Sequence, residues 1–262
     1  MRTIVNPLKY ALLAAFFAMP TLAAPLPGAS WDWQLSEAIA PPADIKVFDA
    51  DPDNVTRDQI MELNKAGVYT ICYVSVGTLE NWRSDVNTFY DGNVFYYPVV
   101  GKAYGNWPGE FFLDIRQPNL RYVMQRRFMD CALKGFQAVE ADNMDVYTND
   151  SGFEISRQDT MRYIEQLASD AHALGLEIGQ KNVPELTGEL VAIMDFVITE
   201  SCFADGWCGD VLPYIEAGKP VFNAEYTDTG PDFAAACAYG TKNKISMILK
   251  DRDLTSELET CP

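Results

Sequence analysis

Short, nearly continuous apolar runs alternate along the chain with stretches whose apolar residues recur at helical spacing. Met161, Ile164, Leu167, Ala168, Ala171 and Leu174 form such a stripe, the kind that packs on a sheet. Five times a helical stretch ends at or beside a glycine and runs into an apolar strand, at Gly67, Gly135, Gly175, Gly218 and Gly240. Glycine there supplies the left-handed conformation that ends a helix. Helix starts are also legible: Thr56-Arg-Asp-Gln59 and Ser156-Arg-Gln-Asp159 read as capping boxes, and Pro118 suits a first helical position. The strands expected are 31–36, 45–51, 69–77, 136–143, 177–182, 196–201, 220–226 and 245–251. Strands apolar throughout and alternating with helices pair in parallel, and eight of them suit a (β/α)8 TIM-type barrel of the α/β class. The first crossover carries Pro41-Pro42, which leaves its helix vestigial. No Gly-rich dinucleotide fingerprint occurs.

One excursion breaks the alternation. Residues 78–117, after the third strand, hold Trp82, Phe89, Tyr90, Phe95, Tyr96, Tyr97, Tyr104 and Trp107. A loop that long inside a compact domain usually carries function, and this one leaves the strand end at which barrel enzymes build their sites. Polar residues gather at the same rim: Asp49 and Asp51, Glu140 with Asp142 and Asn143, Gln180 with Lys181 and Asn182, Thr199 and Glu200, Asn223 with Glu225 and Tyr226, Lys250 and Asp251. By period-two alternation Glu140 and Asp142 face one way, as do Asp49 and Asp51. Asp51-Pro-Asp53-Asn54 reads as a turn and cap, with Val55 spoiling a calcium loop; Asp145, Asp150 and Asp228 read as solvated loop residues, and His172 as a surface group.

Charge narrows the partners. The 262 residues include 20 Lys+Arg and 37 Asp+Glu, for a net charge of −17, which argues against nucleic acid or an anionic membrane and favours a neutral or cationic ligand. One histidine leaves no multi-His zinc site and little room for Ser-His-Asp chemistry, and no cofactor or metal motif is found. Arg2 and Lys9, the apolar run 10–19 and small residues ending at Ala23 read as a signal peptide over residues 1–23, so residues 24–262 form one exported barrel domain, secreted or periplasmic. Cleavage leaves 18 basic against 37 acidic residues, net −19, with no further run long enough to span a bilayer. All six cysteines lie in the mature part. Cys202 pairs with Cys208 across a short loop and Cys237 with Cys261; Cys72 and Cys131 are either a third bridge or two buried thiols.

An exported acidic barrel with convergent carboxylates and overhanging aromatics points to glycoside hydrolysis, which needs two carboxyl groups, one protonated and one ionised. A run of segments then resembles a known family: Trp31-Asp-Trp-Gln-Leu-Ser36, Ile71-Cys-Tyr-Val-Ser-Val-Gly77, Asn81-Trp-Arg83, Trp107-Pro-Gly-Glu110, Leu113-Asp-Ile-Arg116, 135–145, Lys181-Asn182, Thr199-Glu-Ser-Cys202, Phe222-Asn-Ala-Glu-Tyr226 and Ile248-Leu-Lys-Asp251. Together, over nearly the whole mature chain, they are similar to glycoside-hydrolase family 114, whose members are endo-α-1,4-polygalactosaminidases and relatives with a barrel fold. The resemblance implies endo-cleavage of an α-1,4-linked galactosamine polymer, with the catalytic carboxyls at Asp142 and Glu200; the chain is expected to act as a monomer. It implies substrate contacts at Trp31, Trp33, Asp49, Tyr73, Trp107, Glu140, Lys181, Asn182, Asn223, Glu225, Tyr226 and Asp251. Where the family carries Asn before the second carboxylate and Gln after it, this chain has Thr199 and Ser201. Two other readings are a Schiff-base aldolase using Lys181 and a barrel that binds carbohydrate without cutting it.

Overall fold

The computed structural model describes residues 24–105 and 107–262, so the segment read as a signal peptide lies outside the described residues. In chain order its strands are β1 (Trp31–Gln34), β2 (Val47–Ala50), β3 (Tyr69–Ser75), β4 (Thr78–Glu80), β5 (Val100–Ala103), β6 (Glu110–Leu113), β7 (Ala138–Asp142), β8 (Glu177–Lys181), β9 (Phe196–Glu200), β10 (Val221–Tyr226), β11 (Ser246–Lys250) and β12 (Glu259–Thr260). The helices are α1 (Arg57–Lys65), α2 (Leu120–Lys134), α3 (Arg157–Ala173), α4 (Thr187–Leu190), α5 (Leu212–Glu216) and α6 (Phe233–Asn243). All eight expected strands are present. They hydrogen-bond in the order β1-β2-β3-β7-β8-β9-β10-β11, every pair parallel, and curl into a TIM-type barrel with β12 antiparallel on the outer edge of β11. Between β1 and β2 the chain only turns, as the two prolines suggested.

Period-two alternation gives each strand two buried faces. One set, including Trp31, Trp33, Ile71, Phe196, Ile198, Phe222 and Ile248, fills the barrel; the other packs under the helices. Gly179 belongs to the inner set because a Cβ there would stand 2.2 Å from the Phe196 ring. The barrel closes at the β1/β11 seam through side chains rather than a ladder. The Trp31 indole donates to the Ser246 carbonyl at 3.0 Å, and the buried Lys250 ammonium holds Asp32 at 2.9 Å. Above them, the amides of Leu35 and Ser36 both bond the Leu254 carbonyl.

Both capping boxes form, at Thr56 with Gln59 and at Ser156 with Asp159. Two local expectations are corrected. Helix α2 starts at Leu120 behind an Asn119 cap, so Pro118 lies outside it. Gly240 lies inside α6, where a Cβ would meet Met247 at 2.5 Å, and Lys244 makes the left-handed exit instead. The excursion forms a three-stranded antiparallel sheet, β4-β6-β5, hinged directly on β3. Phe89 and Phe95 stack inside it at 6.2 Å, whereas Tyr90, Tyr96 and Tyr97 face outward. Cys202–Cys208 and Cys237–Cys261 are bridged, and the open question at Cys72 and Cys131 resolves as a third bridge, tying β3 to α2.

Candidate active site

Three neighbouring strands end alike. Asp142 ends β7, Lys181 ends β8 and Glu200 ends β9; each next residue, Asn143, Asn182 or Ser201, takes a positive φ of 61°, 51° or 53°. Asparagine tolerates this region better than most residues, and its short amide can bond locally. The sharp turn sends the chain away from the axis and folds the amides back onto the carboxylates. Asn143 Nδ2 donates to Asp142 Oδ2 at 3.2 Å, and Asn182 Nδ2 to Glu200 Oε2 at 2.9 Å. Strained backbone of this kind gathers at functional sites.

Lys181 stands between the two carboxyls. Its Nζ lies 2.9 Å from Asp142 Oδ1 and 3.3 Å from Glu200 Oε2, so those two oxygens are at most about 6.2 Å apart, the two distances laid end to end. The ammonium also sits 4.5 Å from the centre of the Trp33 ring. The Tyr73 hydroxyl donates to Asp142 Oδ2 at 3.0 Å, and that of Tyr226 to Glu200 Oε1. Burial works against ionisation of Glu200, but Lys181, Tyr226 and Asn182 outweigh it and hold the carboxyl below its ordinary range. Burial likewise works against charge on Lys181, but Asp142, Glu140 and Glu200 hold it well above the usual lysine range, so it stays an ammonium.

These groups form the bottom of a cleft of about 730 Å³. The excursion overhangs it with Glu80, Trp82, Tyr104, Trp107 and Glu110, and the loop after β11 closes the far side with Arg252 and Leu254. Arg252 stacks on Tyr226 at 3.7 Å. Burial pushes Glu110 up to about 7 even though Thr78 donates to it. Nine carboxyls line the cleft, against the cations Lys181 and Arg252. A second hollow, beside β3 and α2, holds charges already paired: Arg83 with Glu80 and Asp51, Arg127 with Asp85.

Of the residues singled out from sequence, Asp142, Glu200, Trp33, Tyr73, Trp107, Lys181, Asn182 and Tyr226 meet at the cleft. Six do not. Trp31 lies in the barrel floor behind Trp33. Asp49 and Glu140 are fully buried beneath Lys181. Asn223 and Glu225 face outward from β10: Asn223 accepts from Thr199 and the Cys202 amide, and Glu225 from the Phe203 and Ala204 amides. Asp251 caps the turn at Thr255. Asp145, read as a solvated loop residue, instead lines the cleft, whereas Asp150 pairs with Lys102, Asp228 with Arg252 and His172 with Asp195 at the surface. Sequence reasoning passed over Glu80, Trp82, Glu110 and Asn143 as site residues. Three of them lay in segments quoted for the resemblance or in the aromatic excursion, and Asn143 at a strand exit.

The model of glycoside-hydrolase family GH114 matches residues 14–262. Among solved structures, the chain is similar to that of Aspergillus fumigatus Ega3 in complex with galactosamine: 30% identity, TM-score 0.84, covering 90% of this chain and 96% of that one. The glycoside hydrolase domain of PelA from Pseudomonas aeruginosa shares the fold at 15% identity and TM-score 0.67, with 88% of this chain and 98% of that one covered. A variant of that PelA domain aligns at TM-score 0.65, with the same identity and coverage. No curated protein matches.

Proposed function

Because the chain belongs to glycoside-hydrolase family GH114, we propose that it cuts polysaccharide containing α-1,4-linked galactosamine from within, with Asp142 and Glu200 as the reacting carboxyls. The observation that carries this reading is the pair of carboxyls on either side of Lys181 at the bottom of an open, acidic cleft. A free-amine galactosamine is a cation, and nine carboxyls along the cleft favour a polycation. Trp82, Tyr104 and Trp107 offer flat apolar faces to sugar rings. The three disulfides suit an exported enzyme.

The short separation favours retention. One carboxylate attacks the anomeric carbon while the other carboxyl gives its proton to the leaving oxygen; water then breaks the glycosyl–enzyme bond and returns a proton to the second carboxyl. Retaining pairs lie about 5–5.5 Å apart and inverting pairs about 6.5–9.5 Å. The limit of about 6.2 Å on the two oxygens that share Lys181 lies short of the inverting range. Lys181 itself, ion-paired with three carboxylates, has no lone pair to form an imine, which weighs against the aldolase reading.

The test is to mix the protein with a partly deacetylated α-1,4-galactosamine polymer and follow chain length and the first-formed reducing end by proton NMR. Falling chain length with an initial α-anomer is expected. Binding without shortening would leave a carbohydrate-binding barrel, and an initial β-anomer would overturn retention. Full N-acetylation, which removes the cations, is expected to weaken binding.

A further inference from the structure

Beneath the reacting pair lies a second pair of carboxyls that no sugar can reach. Asp49 on β2 and Glu140 on β7 are fully buried, with β3 between their strands. Burial, and then the neighbouring Glu140 carboxyl, hold the Asp49 carboxyl well above the ordinary aspartate range. Glu140 Oε1 accepts from Lys181 Nζ at 2.9 Å. Glu140 Oε2 and both oxygens of Asp49 have no donor among the described residues. Two ionised carboxylates cannot persist there: each would lack solvation and would repel the other. A single proton between them gives one oxygen its donor and halves the charge.

We infer that Asp49 and Glu140 share one proton, and that this singly charged pair is the anchor that presents the Lys181 ammonium to Asp142 and Glu200. The inference rests on the reading of those two as the reacting carboxyls. An ammonium has three N–H donors, and Lys181 faces three carboxyls, Glu140 below and Asp142 and Glu200 above. With one negative charge below, the donors divide evenly. With two, the ammonium is drawn to the floor and the rim loses its cation. The surroundings leave Lys181 as the cation against the pair: β1 contributes Trp33, β3 contributes Ile71 and the buried Tyr73 hydroxyl, β7 adds Asp142, β8 Lys181, and β9 Glu200 beyond it. Asp49 and Glu140 are therefore positioning residues.

Substitutions at Asp49 separate this role from mere packing. Asp49→Asn puts an amide donor where the shared proton sits, so kcat is expected to stay within about threefold, and the alkaline loss caused by deprotonating the pair should disappear. Asp49→Leu keeps the branching and heavy-atom count but has no polar group, so it leaves Glu140 a lone carboxylate, and kcat should fall about 100-fold at unchanged KM, as expected for a displaced group that does not touch substrate. Infrared spectra of the wild type minus Asp49→Asn, taken above the range in which Glu110 titrates (about 7), should show a protonated-carboxyl band that belongs to the wild type, since the acid of the reacting pair cancels in the difference. Absence of that band, or equal kcat in the Asn and Leu variants at equal melting temperature, would overturn the inference. If Asp49→Leu does not fold, the Asn variant and the band decide it. If the wild type leaves the polymer intact, the reading of the reacting pair fails, and the infrared measurement still tests the shared proton.

Discussion

Glu200 and Glu225 stand one pleat apart on neighbouring strands, and the chain uses them for opposite purposes. In the β9/β10 register Glu200 lies beside Ala224, so Glu225 comes one residue later and points to the other side of the sheet. Glu200 faces the barrel axis and ends in the cleft. Glu225 faces the helices, fully buried, and accepts the amides of Phe203 and Ala204 in the loop that leaves Glu200. Asn223 supports it with a 2.8 Å bond. One carboxylate is the proposed reacting group and the other holds the loop beside it. The parity of a single residue decides which is which.

Five variants bear on that contrast. Asp142→Asn and Glu200→Gln keep volume but cannot ionise, and each should lower kcat at least about 1,000-fold with an unchanged melting curve. Wild-type turnover in either would remove that residue from the pair. Replacing Cys202 and Cys208 by serine opens a small loop, which costs about 2 kcal/mol in the chain-entropy account. Because the loop follows Glu200 directly, kcat should drop proportionally more than urea stability; a loss confined to stability would separate the loop from the site. Glu225→Gln retains one acceptor oxygen and should cost about 1 kcal/mol in urea unfolding, with kcat changed less than tenfold. If it matched Glu200→Gln in kcat, the inside–outside distinction would collapse. The smallest effect is expected at Glu110, whose folded-state value of about 7 lies above the ordinary 4.5. The folded protein binds the proton more tightly than the unfolded chain, so stability is lost as pH rises between those values. Glu110→Gln should therefore flatten that decline, raising the melting temperature above neutral pH while leaving it nearly unchanged in acid.

Why one carboxylate could be read from the chain and the other could not follows from the strands. All eight were visible as apolar runs, and a charged residue at the end of such a run marks the rim. Facing was harder. Every residue of β10 is buried, because one face meets the barrel interior and the other the helices, so no alternation of apolar and polar positions reveals which way Asn223 and Glu225 point. Asp49 and Glu140 are likewise rim-like in sequence, and only the register shows their depth: Glu140 lies beside Gly179, two residues before Lys181, and Asp49 beside Ile71, two residues before the Tyr73 that flanks Glu140. The Cys72–Cys131 bridge spans 59 residues between a strand and a helix, a proximity that spacing cannot disclose. The excursion was legible as an aromatic-rich interruption, but its antiparallel sheet was not, since β4, β5 and β6 are only three or four residues each.

The barrel's seam sets where the molecule breathes. Seven of the eight junctions between neighbouring barrel strands are backbone ladders, but β1 meets β11 through one indole, one buried ion pair and two amides on a single carbonyl. Opening there breaks few main-chain bonds, so hydrogen exchange of the β1 amides should be governed by a local opening well below the global unfolding free energy. Trp33 is on that strand, under Lys181. A fluctuation that unzips the seam thus tilts the platform on which the cation rests. One ring, reaching across the barrel from β1 to β8, joins this unladdered seam to the cation between Asp142 and Glu200, which ties the endurance of the site to the closure of the barrel.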